Sequence, residues 1–155
     1  METRTLQEYL VQLNSDAPMP GGGSAAAYVA SLSVSLVNMA LKISMKRKTF
    51  QTNTSEVKES LKQQTRYFDN QTTTLLTYMQ QDEEAFLAFL QAYQSKAPDL
   101  QKYQIECLRV PSELATYVLA LIERYDQVAP YIVSSIQGDL HMGYFFARAV
   151  LQGCL

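Results

Sequence analysis

The sequence predicts an all-α protein, an up-and-down helical bundle with one long central helix. Three observations carry that expectation. Apolar residues recur at spacings of three and four along most of the chain, and strand-like alternation is scarce. Capping residues and prolines punctuate the periodic stretches. Residues 55–93 carry one continuous stripe of alternating four and three spacing, the pattern of a helix packed along a bundle. With 155 residues, 47% hydrophobic and 18% charged, the chain suits a single domain spanning 1–155 with a substantial core.

The elements follow in order. Thr3 or Thr5 is placed to cap a short first helix with Leu6, Leu10 and Leu13 on one face. Asn14–Gly23 reads as a loop. Ser24 is the expected cap of a second helix running to about Lys46, whose alanines and serines let neighbours approach closely. Lys46, Arg47 and Lys48 sit where cations complement the negative end of that helix. The uncharged run from Ser24 to Leu41 is long enough for a membrane span, but its serines and Asn38 favour a buried helix of a soluble protein.

A third helix starts near Ser55, with Asn53, Thr54 and Ser55 as cap candidates. Its expected seam is Leu61, Thr65, Phe68, Thr72, Leu75, Met79, Asp82, Phe86, Phe89 and Tyr93. Lys96, Ala97 and Pro98 break it. A fourth helix begins near Asp99, is kinked or interrupted at Pro111, and buries Leu114, Val118, Leu121 and Ile122. Pro130 is expected to open a further helix that Gly138 ends, and Asp139 to open the last one.

Composition narrows the function classes. A net charge of -2 without a continuous basic face argues against a nucleic-acid partner. Cys107 and Cys154 are far apart in sequence and His141 is alone, so neither a disulfide framework nor a metal site is expected, and the reducing cytoplasm is the default. The opening METRTLQEYL has no signal-peptide pattern.

The chemistry-bearing candidates are few. Asp82 occupies a seam position where an aliphatic side chain is expected. A carboxyl there either finds a lysine, arginine or tyrosine on a facing helix, or its proton affinity rises and it can carry a proton at neutral pH. Glu83 and Glu84 are expected to point elsewhere, into solvent. Gly21, Gly22, Gly23 and Ser24 form a turn whose backbone N–H groups could cradle an anion, or a plain helix-entry loop. No lysine follows as in a Walker loop, and no strand precedes as in a dinucleotide fingerprint. Lys46, Arg47 and Lys48 read equally as a helix cap or as ligand contacts. Asp139 reads first as an N-cap.

In series these motifs resemble the formiminotetrahydrofolate cyclodeaminase and methenyltetrahydrofolate cyclohydrolase family. The resemblance is carried by Pro20-Gly-Gly-Gly-Ser running into an alanine-rich helix, then Arg47, Lys48 and Phe50. Asp82 with Ala85 and Phe86, the pair Val110-Pro111, and Gly138-Asp139 complete it. It implies a helical bundle that pairs into a homodimer and binds a reduced folate near the subunit contact. It assigns catalysis to Asp82 and substrate contacts to Gly21, Gly22, Gly23, Ser24, Arg47, Lys48 and Asp139. No metal or other cofactor is implied, the tetrahydrofolate derivative being the substrate, and no membrane. The family's usual C-terminal extension is missing and Gly138 replaces a serine. Cyclodeamination to 5,10-methenyltetrahydrofolate is the leading expectation. Cyclohydrolysis of that compound, or folate or partner binding without catalysis, are the alternatives.

Overall fold

The computed structural model describes residues 4–154, and among them five α-helices and no strand occur. The first helix, α1, is Leu6–Leu13. Thr5 caps it through a reciprocal box: its hydroxyl accepts from the Glu8 amide at 3.2 Å, while its own amide donates to the Glu8 carboxylate at 2.6 Å. Thr3 lies outside the described residues. The buried anchor of α1 is Tyr9, and the expected leucine face is mostly open, with Leu6 54% and Leu10 51% exposed. An eight-residue helix has room for one anchoring ring against the bundle, and here that ring is aromatic.

The second helix, α2, is Gly22–Met45, and Gly21 rather than Ser24 is its N-cap. Ser24 lies inside the first turn, fully buried, and its hydroxyl is used elsewhere. The third, α3, is Ser55–Gln94, capped by the Thr54 side chain on the Val57 amide. The fourth, α4, is Leu100–Val128, and the last, α5, is Gln137–Gly153. By length and composition α2 could cross a membrane, its best 18-residue window reaching a mean hydropathy of 1.5. In this fold its Ala27, Ala30, Val34, Val37, Ala40 and Leu41 are instead core, packed among the other long helices. Small side chains let α5 press close: a Cβ on Gly143 would lie 2.5 Å from Val37 Cγ2 and 3.2 Å from the Ser33 carbonyl oxygen. The Ser33 hydroxyl donates to the Gly143 carbonyl at 2.7 Å and meets the Tyr125 hydroxyl of α4 at 3.1 Å, joining three helices through one buried polar group.

The seam of α3 departs from expectation by one residue in three places. Gln71, Ala85 and Ala92 are buried where Thr72, Phe86 and Tyr93 were expected, and Tyr93 is 64% exposed. Both stripes fit a four-three alternation, so the spacing along one helix does not choose between them. Two residues past the last helical residue, Gln94, the chain turns at Lys96, whose φ of 53° is left-handed. The Ala97 amide then reaches back to the Ala92 carbonyl at 2.9 Å and the Lys96 amide to Tyr93, a Schellman closure built without glycine. That backbone role accounts for Lys96.

Pro111 neither ends nor starts a helix: α4 runs through it, and Val110-Pro111 sits mid-helix. Pro130 opens only a 3₁₀ turn, Ala129–Tyr131, followed by a second, Ser134–Ile136. Gly138 does not end a helix and Asp139 does not cap one. Both lie in the first turn of α5, whose N-cap is Ile136, and the Asp139 charge there complements the helix dipole.

Candidate active site

The first turn of α2 meets the middle of α3, and the contact requires a glycine. A Cβ on Gly23 would fall no more than 2.7 Å from either carboxylate oxygen of Asp82. The carboxylate rests on the Gly23 backbone, where any larger residue would displace it. Gly21 and Gly22 have open space around them. The close approach is therefore the business of one glycine of the three.

Burial from water raises the Asp82 pKa above the ordinary aspartate value. The Ser24 backbone N–H, at the positive end of α2, opposes that rise, and the neighbouring Glu83 charge adds to it. Asp82 is only partly buried, so it keeps a path to solvent. Among the described residues no lysine, arginine or tyrosine side chain bonds it; the Ser24 backbone N–H does. The thiols of Cys107 on α4 and Cys154 beyond α5 also feel its charge. Their own burial first, and then that negative field, push both above the usual cysteine range, so neither is an activated nucleophile.

Glu83 does not point to solvent. It accepts from the Ser24 hydroxyl at 2.9 Å and from Arg4 at 2.7 and 2.6 Å, and its side chain is only 16% exposed. The Tyr9 hydroxyl meets the Ser24 hydroxyl at 3.2 Å, and its ring tilts on Tyr28 with centroids 5.8 Å apart. Arg4 also donates to Gln12 at 2.9 Å. Glu83, Arg4 and Tyr9 are functional candidates that periodicity misses, because Glu83 is one position off the seam. Charge gives one signal: Arg4 is the only basic residue before Lys42, so an acidic partner in this region has a single cation to find.

Between α1, the loop before α2, and α3 lies a groove of about 600 Å³. Arg4, Tyr9, Met19, Tyr28, Met79 and Glu83 are among its walls. Asp82 is not among the residues that line it.

The remaining sequence candidates lie elsewhere. Arg47 and Lys48 are exposed just past the far end of α2, which is about 35 Å long. Asp139 belongs to the same end: α5 runs antiparallel to α2, with Gly143 on Ser33 and Val37 and Cys154 toward Asp82. A single chain thus brings Gly21–Ser24 and Asp82 together and leaves Arg47, Lys48 and Asp139 at the opposite end. Among the described residues no three His, Cys, Asp or Glu side chains are grouped as a metal site requires.

Comparison with known proteins places this geometry. Residues 5–155 match the profile of the formiminotransferase-cyclodeaminase family. The chain is 35% identical over 89 residues to a methenyltetrahydrofolate cyclohydrolase of Methylorubrum extorquens, a match covering 57% of this chain and 41% of that protein's length. Among solved structures, formiminotetrahydrofolate cyclodeaminase of Thermotoga maritima shares the fold with a TM-score of 0.87 at 22% identity, over 99% of this chain and 75% of that one.

Proposed function

The chain belongs to the formiminotransferase-cyclodeaminase family, and from that premise we propose that it acts on a reduced one-carbon folate, with Asp82 as the proton carrier. The observation that carries this reading is the Asp82 carboxylate seated on Gly23, partly desolvated and beside the N-terminus of α2. In cyclodeamination, the formimino group of 5-formiminotetrahydrofolate reacts in its protonated form: N10 attacks the formimino carbon, a carbon–N10 bond forms, and the C=N double bond becomes a single bond to an –NH2 group. The N10 proton passes to Asp82, which returns it to the departing nitrogen. The old carbon–nitrogen bond breaks, ammonia leaves, and 5,10-methenyltetrahydrofolate remains. An acid whose proton affinity is raised by burial suits both transfers, typically worth ~10²–10⁴-fold. Holding N10 against the carbon is an orientation problem that rigid helices solve.

Cyclohydrolysis of the methenyl compound is the second reading, favoured by the name of the Methylorubrum extorquens relative. Both reactions pass through a carbon bridging N5 and N10, so one site serves either. The purified protein is expected to raise methenyl absorbance from 5-formiminotetrahydrofolate. Decay of that absorbance from the methenyl substrate instead selects the hydrolase. Neither change, together with no folate-dependent shift of the melting temperature, ends the folate reading.

The same reading includes a homodimer in the cytoplasm. Leu6, Leu10 and Val11 on α1 and Ile105 and Leu108 on α4 are all more than half exposed, apolar positions that a partner copy would cover. An antiparallel partner would also carry Arg47, Lys48 and Asp139 toward the other copy's Asp82, where cations can receive the carboxylates of a glutamate tail. Light scattering on the purified chain is expected to return twice the monomer mass; a monomer at micromolar concentration removes the homodimer.

A further inference from the structure

The two acidic neighbours Asp82 and Glu83 grip adjacent residues of one helix turn. Asp82 lies on Gly23, and Glu83 holds the hydroxyl of Ser24 at 2.9 Å. Glu83 is fixed in turn by Arg4, which reaches both of its oxygens from the start of α1. Tyr9 closes the set from the middle of α1 through its contact with the Ser24 hydroxyl. The Ser24 side chain therefore makes no capping bond for its own helix. Its direction is set from outside, by a carboxylate on α3.

The geometry points to Glu83 as the positioning residue of the site: clamped by Arg4, it holds Ser24 so that the Gly23–Ser24 backbone presents itself to the Asp82 carboxylate. This rests on Asp82 being the proton carrier and adds what keeps that carrier in place. It also gives α1 a task. The helix buries one residue of its eight, and its ties to the bundle include the Arg4 and Tyr9 contacts with Glu83 and Ser24.

The arrangement has an electrostatic consequence that packing alone would not have. Facing Asp82 are the Ser24 amide from α2, Glu83 from its own helix, the Cys107 and Cys154 thiols from the α4 and α5 side, and Tyr9 from α1. Glu83 is the acidic side chain among these, and Arg4 is its ion-pair partner at 2.6 Å. Removing Glu83 takes away a repelling charge and lets Asp82 ionise at lower pH. Removing Arg4 leaves that charge unbalanced and moves Asp82 the other way.

The test uses the full chain with the Asp82 carboxyl carbon followed by NMR through a pH titration. Glu83→Gln keeps an acceptor for Ser24 and is expected to lower the Asp82 midpoint. Arg4→Gln is expected to raise it. The double variant should follow Glu83→Gln, and Glu59→Gln, remote on α3, should leave the midpoint unmoved. In turnover assays Glu83→Ala is expected to lose kcat on the order of tenfold to a hundredfold with KM little changed, and Glu83→Gln to recover part of the loss. Shifts of the same sign in Glu83→Gln and Arg4→Gln, or none, overturn the proposal. So does a Glu83→Ala protein that loses only KM, because Glu83 is then a ligand contact. The titration does not depend on turnover, so a failed folate assay strikes the functional reading and leaves the positioning claim to the midpoints.

Discussion

Gly23→Ala is expected to lower turnover by ~10²-fold and leave the bundle folded. The added methyl cannot coexist with the Asp82 carboxylate, since it would fall no more than 2.7 Å from either oxygen. What yields is the end of a short side chain that can rotate, at a cost of roughly 0.5–1.5 kcal/mol for a displaced rotamer. Alanine in place of glycine inside a helix returns about 1 kcal/mol. The two nearly cancel, so the melting temperature should hardly move. Catalysis has no such compensation, because displacement of a reacting group by about 1 Å is enough for ~10²-fold. Gly143→Ala gives the opposite pattern. Its methyl meets Val37 and the Ser33 backbone oxygen, and backbone between packed helices does not rotate away. That overpacking should cost about 1–3 kcal/mol while the Asp82 site stays intact. Gly22→Ala, with open space around it, should do neither. Circular dichroism melts and turnover on the three variants separate the effects. Wild-type turnover in Gly23→Ala would mean that the carboxylate's seat is irrelevant to the reaction.

How far the sequence led follows from what each element rests on. The long helix, its start among the cap candidates Asn53, Thr54 and Ser55 and its end near Tyr93 were legible because periodicity and capping are local. The choice between Ala85 and Phe86 as the buried residue was not. A four-three stripe admits both, and the packing of the folded chain decides. Pro111 looked like a boundary because a proline removes one helical hydrogen bond. Tertiary contacts at Val110, Leu114 and Val118 carry α4 through it. Asp82 stood out as a polar residue on an apolar stripe, and it does meet the glycine turn. Glu83 gave no such contrast. Its partners lie 59 and 79 positions away, at Ser24 and Arg4, and only the folded chain brings them to it. Arg47, Lys48 and Asp139 were grouped with the site by motif order, yet the length of α2 separates them from it within one chain.

Asp82→Asn is expected to stabilise the protein at neutral pH and to lower turnover by ~10²–10⁴-fold. The sign follows from the raised pKa. Below the ordinary aspartate value both the folded and the unfolded chain hold the proton, and burial of the neutral acid carries no ionic penalty. As pH rises through that value the unfolded chain releases its proton first, while the folded one retains it until the pH passes the higher, folded value. Across that window the unfolded state binds fewer protons, so stability falls as pH rises until the folded carboxyl has itself ionised. Asparagine keeps an acceptor for the Ser24 amide and carries no charge to desolvate. The melting-temperature gain of Asp82→Asn should thus be small near pH 3 and grow toward pH 7; subtracting wild type at each pH cancels the other acidic groups. A polar side chain that costs the fold and serves the reaction is the pattern of a functional site. Were Asp82→Asn instead less stable at pH 7, the carboxylate would be a net stabilising contact, its pKa would be depressed, and the proton carrier would have to be another group.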